Sequence, residues 1–125
     1  MKKISIIGTG YVGLVSGAGI ADFGHQVTCI DILKEKIDNL NQGKIPFYEP
    51  GLKDLVERNV RSGRLLFSNE IGWIIKNSEV IFIAVGTPEA EDGSADLTTI
   101  YSTADTIANN LNDYKVMNKA HLYMN

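Results

Sequence analysis

A short apolar run, Ile4 to Ile7, ends on the stretch GTGYVG (Gly8 to Gly13), and no other feature constrains the fold of this chain as tightly. An apolar run of that length ending at glycine reads as a buried strand. From Tyr11 to Phe23 the apolar residues Val12, Val15, Ala18 and Phe23 recur near helical spacing with small residues between them, and Gly24 closes the segment as a C-cap. Two lysines followed by apolar and small residues also fit the outline of a secretory signal. Removing the segment, however, would delete the first strand and helix of the unit that organises everything downstream, so it is read as structure.

The alternation continues. Val27 to Ile30 reads as a second strand ending at Asp31, and Leu33, Ile37 and Leu40 share one face of a short helix stopped by Gly43. KIPFYEPGL is a loop, with Pro50 suited to the first turn of a helix whose apolar stripe is Leu52, Leu55, Val56 and Val60. Arg64 to Phe67 is a third strand, Ile71 to Ile75 a brief helix, and VIFIAV (Val80 to Val85) the strongest strand. Asp96 reads as the N-cap of a helix through Ile100, Ala104, Ile107 and Leu111, and Tyr114 to Met117 as a weak last strand. VIFIAV is apolar on both faces, as a strand in a parallel sheet covered by helices must be. The expected fold class is α/β, a Rossmann-type doubly wound parallel sheet with helices on both faces, truncated after about five strands. Residues 1–117 form the dinucleotide-binding domain and 118–125 a divergent tail.

The 125 residues amount to one domain or part of one. A net charge of -3 gives no general attraction for nucleic acid or an anionic membrane, and no apolar run approaches the roughly 20 residues needed to span a bilayer. The single cysteine, Cys29, excludes an internal disulfide framework, and two scattered histidines make no metal site. A cytoplasmic chain is expected. Cys29 lies inside a strand and reads as inert packing, and His25, in the turn before that strand, as structural.

After a strand and opening a helix, G-x-G-x-x-G has mechanical meaning. Gly8 permits the tight turn, Gly10 leaves room for a pyrophosphate, and Gly13 lets helix and strand pack closely. The helix N-terminus offers backbone N–H groups to the phosphates. Asp31 follows near the spacing of about 20 residues expected for the acid that binds the adenosine ribose. A carboxylate there accepts the ribose hydroxyls and repels a 2′-phosphate, favouring NAD over NADP.

Three stretches, IGTGYVGLVSGAGIADFGHQVTCIDI, GKIPFYEPGL and VGTPEAEDGSADL, closely resemble the N-terminal domain of the UDP-glucose 6-dehydrogenases within the UDP-glucose/GDP-mannose dehydrogenase family. The resemblance runs from Met1 to about Val116, and Tyr48 and Gly86 lean toward the UDP-glucose branch over GDP-mannose or N-acetylmannosamine relatives. It implies oxidation of the sugar C6 alcohol to a carboxylate in two NAD-dependent steps. The cofactor contacts it implies are Gly8, Gly10, Tyr11, Val12, Gly13, Asp31, Lys36, Val85, Gly86 and Thr87. Lys36 would sit at the adenosine end and Thr87 near the nicotinamide half. The plainer readings are helix packing for Val12, a solvated charge for Lys36 and a simple turn for Thr87-Pro88. Tyr48 and Glu49 either line the site or order their loop.

The resemblance also implies what these residues lack. The family's catalytic cysteine, with its lysine, asparagine and aspartate, belongs to later segments, so the chain holds no catalytic residue and is expected to be inactive alone. A UDP-sugar would bind only if the missing domain were supplied. Near Met117 the chain departs from the family's KSTVP-type segment, with Ala120 and His121 in place of its Ser-Thr pair. A fifth strand left as an edge predicts a marginal, aggregation-prone domain, a homo-oligomer or one that associates through exposed surfaces. The competing readings are a non-catalytic dinucleotide-binding or assembly-modulating module, and an S-adenosylmethionine-dependent methyltransferase, against which GTGYVG, YEPGL and VGTP all count.

Overall fold

The computed structural model describes residues 1–86, 91–94, 97–110 and 116–119. Strand β1 (Lys3–Ile7) buries side chains on both of its faces: Ile4 and Ile6 point one way, Ser5 and Ile7 the other. Such a strand needs apolar cover on two sides, and the chain supplies it by crossing over after every strand. After β1 come α1 (Tyr11–Asp22), β2 (Gln26–Ile30), α2 (Lys34–Asn41), α3 (Leu52–Arg61) and β3 (Leu65–Ser68). These are followed by α4 (Ile71–Lys76), β4 (Val80–Ile83), α5 (Thr98–Asn110) and β5 (Val116–Lys119). The sheet order is β3-β2-β1-β4-β5, and every pairing is parallel. The doubly wound fold expected from the sequence is the one observed.

Two apolar clusters lie on opposite faces of the sheet. On one, Ile4, Ile6, Val27, Cys29, Leu65 and Phe67 meet Leu14 and Ala18 of α1, Ile37 and Leu40 of α2, and Leu52 and Val56 of α3. On the other, Ile7, Ile30, Ile81 and Ile83 meet Ile74 and Ile75 of α4 and Ile107 of α5. Each such large side chain, fully buried, contributes about 1.5–3 kcal/mol. The hydroxyls of Ser5 and Ser78 hydrogen-bond one another inside the second layer, and Ser78 also donates to the Ile74 carbonyl at 2.6 Å. Among the described residues no helix is long and apolar enough to cross a membrane.

Several local readings need correction. Phe23 is not on the buried face of α1; it caps the helix and is 89% exposed, and Leu14, Ala18 and Ala21 face the sheet. Glycine is the reason: a Cβ on Gly17 would lie 2.6 Å from the Cys29 sulfur, so the glycine side of the helix is the one that can approach the strands. Leu33 precedes α2 as its N-cap and is exposed. Pro50 lies outside α3, which begins at Leu52 after Gly51 turns through a left-handed conformation. In α3 Asn59 is buried and Val60 exposed, the reverse of the apolar stripe. The Asn59 amide donates to Asp22 at 3.1 Å and to the Leu55 carbonyl at 2.9 Å, and accepts from Arg64 at 3.2 Å. Arg64 also donates to the Ala21 carbonyl, tying the end of α1 to the start of β3. β4 ends at Ile83, although the Ala84 N–H still reaches the Ile7 carbonyl at 2.7 Å. β5 is Val116–Lys119, further along the chain than the strand expected from Tyr114 to Met117. Asp96, Leu111, Tyr114, Ala120 and His121 lie outside the described residues.

Candidate functional site

The turn between β1 and α1 is shaped by what two glycines lack. Gly8 has φ +112°, and a Cβ there would stand 2.4 Å from the Ala84 carbonyl oxygen; its N–H donates to the Ile30 carbonyl at 2.7 Å. A Cβ on Gly13 would stand 1.9 Å from the Gly8 carbonyl oxygen, so α1 starts hard against the turn. Gly10 differs. Its backbone is extended, and a Cβ on it would meet nothing within 4 Å. The protein's own packing therefore does not demand glycine at the N-cap, and the open space beside it is where a ligand's phosphates would lie. No side chain caps α1, and its first turn holds no acid. The N–H groups of that turn, which have no partner within the helix, remain available to an anion.

Beyond the carboxyl ends of β1, β2 and β4 lies a cleft of about 600 Å³. It is lined by Gly8, Thr9 and Gly10 after β1, by Asp31, Ile32, Leu33 and Lys36 after β2, and by Ala84, Val85 and Gly86 after β4. Ile71 of α4 and the hydroxyl residues Thr98, Ser102, Thr103 and Thr106 of α5 complete it. Ligands of open α/β sheets bind at this place, where strand order reverses. The Asp31 carboxylate is held there: Thr9 donates its hydroxyl to Oδ2 at 2.7 Å, and the Leu33 N–H donates to Oδ1 at 3.0 Å. Open space at Gly10, free helix-end donors and a fixed carboxylate beside the exposed apolar Ile32 and Leu33 together fit a dinucleotide.

The cleft thus gathers Gly8, Gly10, Asp31, Lys36, Val85 and Gly86 from the residues predicted to bind cofactor. Gly13 is buried beneath the turn, and Val12 is half-buried in α1 without lining the cleft. Tyr11 turns to the loop after α2. Its ring lies 5.3 Å from that of Phe47, and the neighbouring Glu49 carboxylate raises the tyrosine pKa. Glu49 thus stands beside Tyr11, whereas Tyr48 is 88% exposed. Residues 43–49 and 51–54 line a separate open hollow of about 740 Å³. Thr87 and Pro88 lie outside the described residues.

Sequence reasoning missed Thr9 and the α5 hydroxyls. Thr98, Ser102 and Thr106 recur every four residues, a stripe that could have been read as one helix face. Cys29 is fully buried, and desolvation pushes its thiol up to about 12, so it is no nucleophile. His25 accepts a hydrogen bond from the Lys2 N–H, at the amino ends of the strands and away from the cleft.

Residues 2–120 match the family model described as the UDP-glucose/GDP-mannose dehydrogenase family, NAD binding domain. The UDP-glucose 6-dehydrogenase TuaD of Bacillus subtilis is 56% identical over 117 residues, covering 94% of this chain and 25% of the relative. The UDP-glucose 6-dehydrogenase of Rhizobium meliloti is 52% identical over 116 residues, or 92% of this chain and 26% of the relative. Among solved structures, a ternary complex of GDP-mannose dehydrogenase from Pseudomonas aeruginosa superposes with a TM-score of 0.89 at 35% identity, covering 97% of this chain and 28% of that one. The chain spans about a quarter of the length of these relatives.

Proposed function

This chain belongs to the UDP-glucose/GDP-mannose dehydrogenase family, and on that footing we propose that it is the NAD-binding part of a UDP-glucose 6-dehydrogenase. The observation that carries the reading is the Asp31 carboxylate, fixed at the end of β2 in the same cleft as Gly10 and the uncapped start of α1. NAD, when bound, supplies hydride acceptance. The first-turn N–H groups of α1 take the pyrophosphate, Asp31 accepts the ribose hydroxyls and repels a 2′-phosphate, and Lys36 flanks the adenosine. Val85 and Gly86 lie on the nicotinamide side, and the contact there from Thr87 follows from the family resemblance alone.

The overall reaction is oxidation of UDP-glucose to UDP-glucuronate by two NAD. The UDP-glucose branch is favoured by Tyr48 and Gly86 and by the names of the two relatives above. With Cys29 sealed in the core, the thiol for that chemistry has to come from outside these 125 residues, so the chain is inactive alone. The protein is cytoplasmic. It associates with further copies through exposed apolar groups such as Phe23 and Trp73, 89% and 67% exposed.

Calorimetric titration with NAD and with NADP tests the reading. Saturable NAD binding, NADP weaker by about tenfold or more, and no turnover of UDP-glucose are expected, tenfold being about 1.4 kcal/mol of discrimination. Equal affinity for the two dinucleotides, or turnover by the chain alone, would sink it.

A further inference from the structure

We infer that Thr9 is a positioning residue that sets dinucleotide specificity, by holding the Asp31 carboxylate in the one orientation that admits a ribose diol and rejects a 2′-phosphate. The inference rests on the reading of the cleft as an NAD site. Thr9 is the variable residue between the first two glycines of the fingerprint, yet it is only 3% exposed. Its hydroxyl donates to Asp31 Oδ2 at 2.7 Å, and its N–H approaches the same oxygen at 3.3 Å. The Leu33 N–H holds Oδ1 at 3.0 Å from the other side. The carboxylate is therefore pinned at both oxygens, by the turn after β1 and by the segment after β2.

Counting acceptor sites shows what the pinning leaves. A carboxylate offers about four lone-pair positions. One on Oδ1 is free, and the long Thr9 N–H contact is the weakest of the three existing bonds and the easiest for a ribose hydroxyl to displace. Two hydroxyl donors can thus be met without turning the group. A 2′-phosphate brings acceptors and negative charge to the same place and finds neither donor nor cation on Asp31. Lys36, an exposed ammonium lining the same cleft, is the available partner for a phosphate. With the Thr9 hydroxyl gone, the carboxylate pivots on its Leu33 bond. It then loses its alignment with the diol, while its negative charge still opposes a 2′-phosphate.

Thr9→Val keeps the shape and deletes the donor, whereas Thr9→Ser keeps the donor. Both are titrated with NAD and NADP, in the natural background and in Asp31→Ala. Thr9→Val is expected to weaken NAD by about 5–20-fold, the scale of losing a charge-assisted hydrogen bond at one remove, and to leave NADP within about twofold. Thr9→Ser should stay within about twofold for both ligands. With Asp31→Ala already present, Thr9→Val should change NAD affinity by less than about twofold, because the two residues act as one unit. Unchanged NAD affinity in Thr9→Val would overturn the inference. So would an equal loss for NAD and NADP, or the same loss with Asp31 absent, either of which would make Thr9 a packing residue or a direct contact. A natural chain that does not prefer NAD overturns the cofactor reading itself, and is seen before any variant is made.

Discussion

Alanine at Gly10 adds one methyl group at the N-cap of α1, in a place where a Cβ meets nothing within 4 Å. The backbone there, φ −76° and ψ −165°, is open to any L-residue. Two modest effects on stability oppose each other. Alanine restricts the unfolded chain and gains about 0.4–1 kcal/mol. As an N-cap residue it is worse than glycine by a similar amount. The net change is within about 0.5 kcal/mol, which moves the thermal midpoint of a domain this size by less than about 3 °C. Binding is another matter. The methyl takes the space in which a pyrophosphate would approach the first turn, and losing one charge-assisted bond there costs about 1.5–3 kcal/mol, or about 10- to 150-fold in Kd. Gly13→Ala is the contrast. Its Cβ would stand 1.9 Å from a backbone oxygen that no rotamer can move, so destabilisation at or beyond the upper end of about 1–3 kcal/mol is expected. Thermal denaturation and calorimetric titration on both variants separate the two roles. Gly10→Ala that melts normally and binds NAD as tightly as the natural chain would refute the reasoning, because no phosphate could then be passing over Gly10.

Gly17→Ala should cost about 1–3 kcal/mol in chemical denaturation, since its Cβ would meet the Cys29 sulfur at 2.6 Å and Ile6 at 3.3 Å. Cys29→Ala in the same chain should restore most of that loss, giving a double variant more stable than the two single effects added together. The buried thiol also predicts an alkaline limb. Desolvation raises its pKa from 9.0 to about 12, so the contribution is complete below pH 9 and is lost as pH rises from there through 12. Unfolding free energies measured across that window should fall by about 1.4 kcal/mol per pH unit from this group, and Cys29→Ala should remove that component of the slope.

The sheet and the turn after β1 were legible because their signals are local. VIFIAV carries apolar residues on both faces, and Gly8 and Gly13 stand where a strand must turn into a helix. Asn59 was illegible for the opposite reason. Its burial depends on Asp22 and Arg64, partners on other elements, so the stripe was assigned to Val60 instead. Thr9 occupies a position the fingerprint leaves unspecified, and only the fold brings Asp31 to it. The α5 hydroxyls were passed over because a polar helix face ordinarily faces water, whereas this one borders the cleft. Tyr11 was read as a cofactor contact from its place in the motif. Its ring lies against Phe47 and beside Glu49, which no helical or strand periodicity links to it.

The pairing of β1 with β4 sets an order of events during synthesis. Ile4 finds Val80 only after two other strands and four helices have been made, and parallel pairing across such a sequence separation is intrinsically slow. A growing chain that has reached Arg61 already holds the phosphate turn, α1 and Asp31, yet one wall of the cleft is absent. The wall against which Gly8 is packed arrives with Ala84 and Val85, and the α5 hydroxyls that complete the cleft follow it. Nucleotide capture by a nascent chain therefore reports that the two halves of the sheet have joined, and a dinucleotide present during synthesis would trap the molecule at that late step.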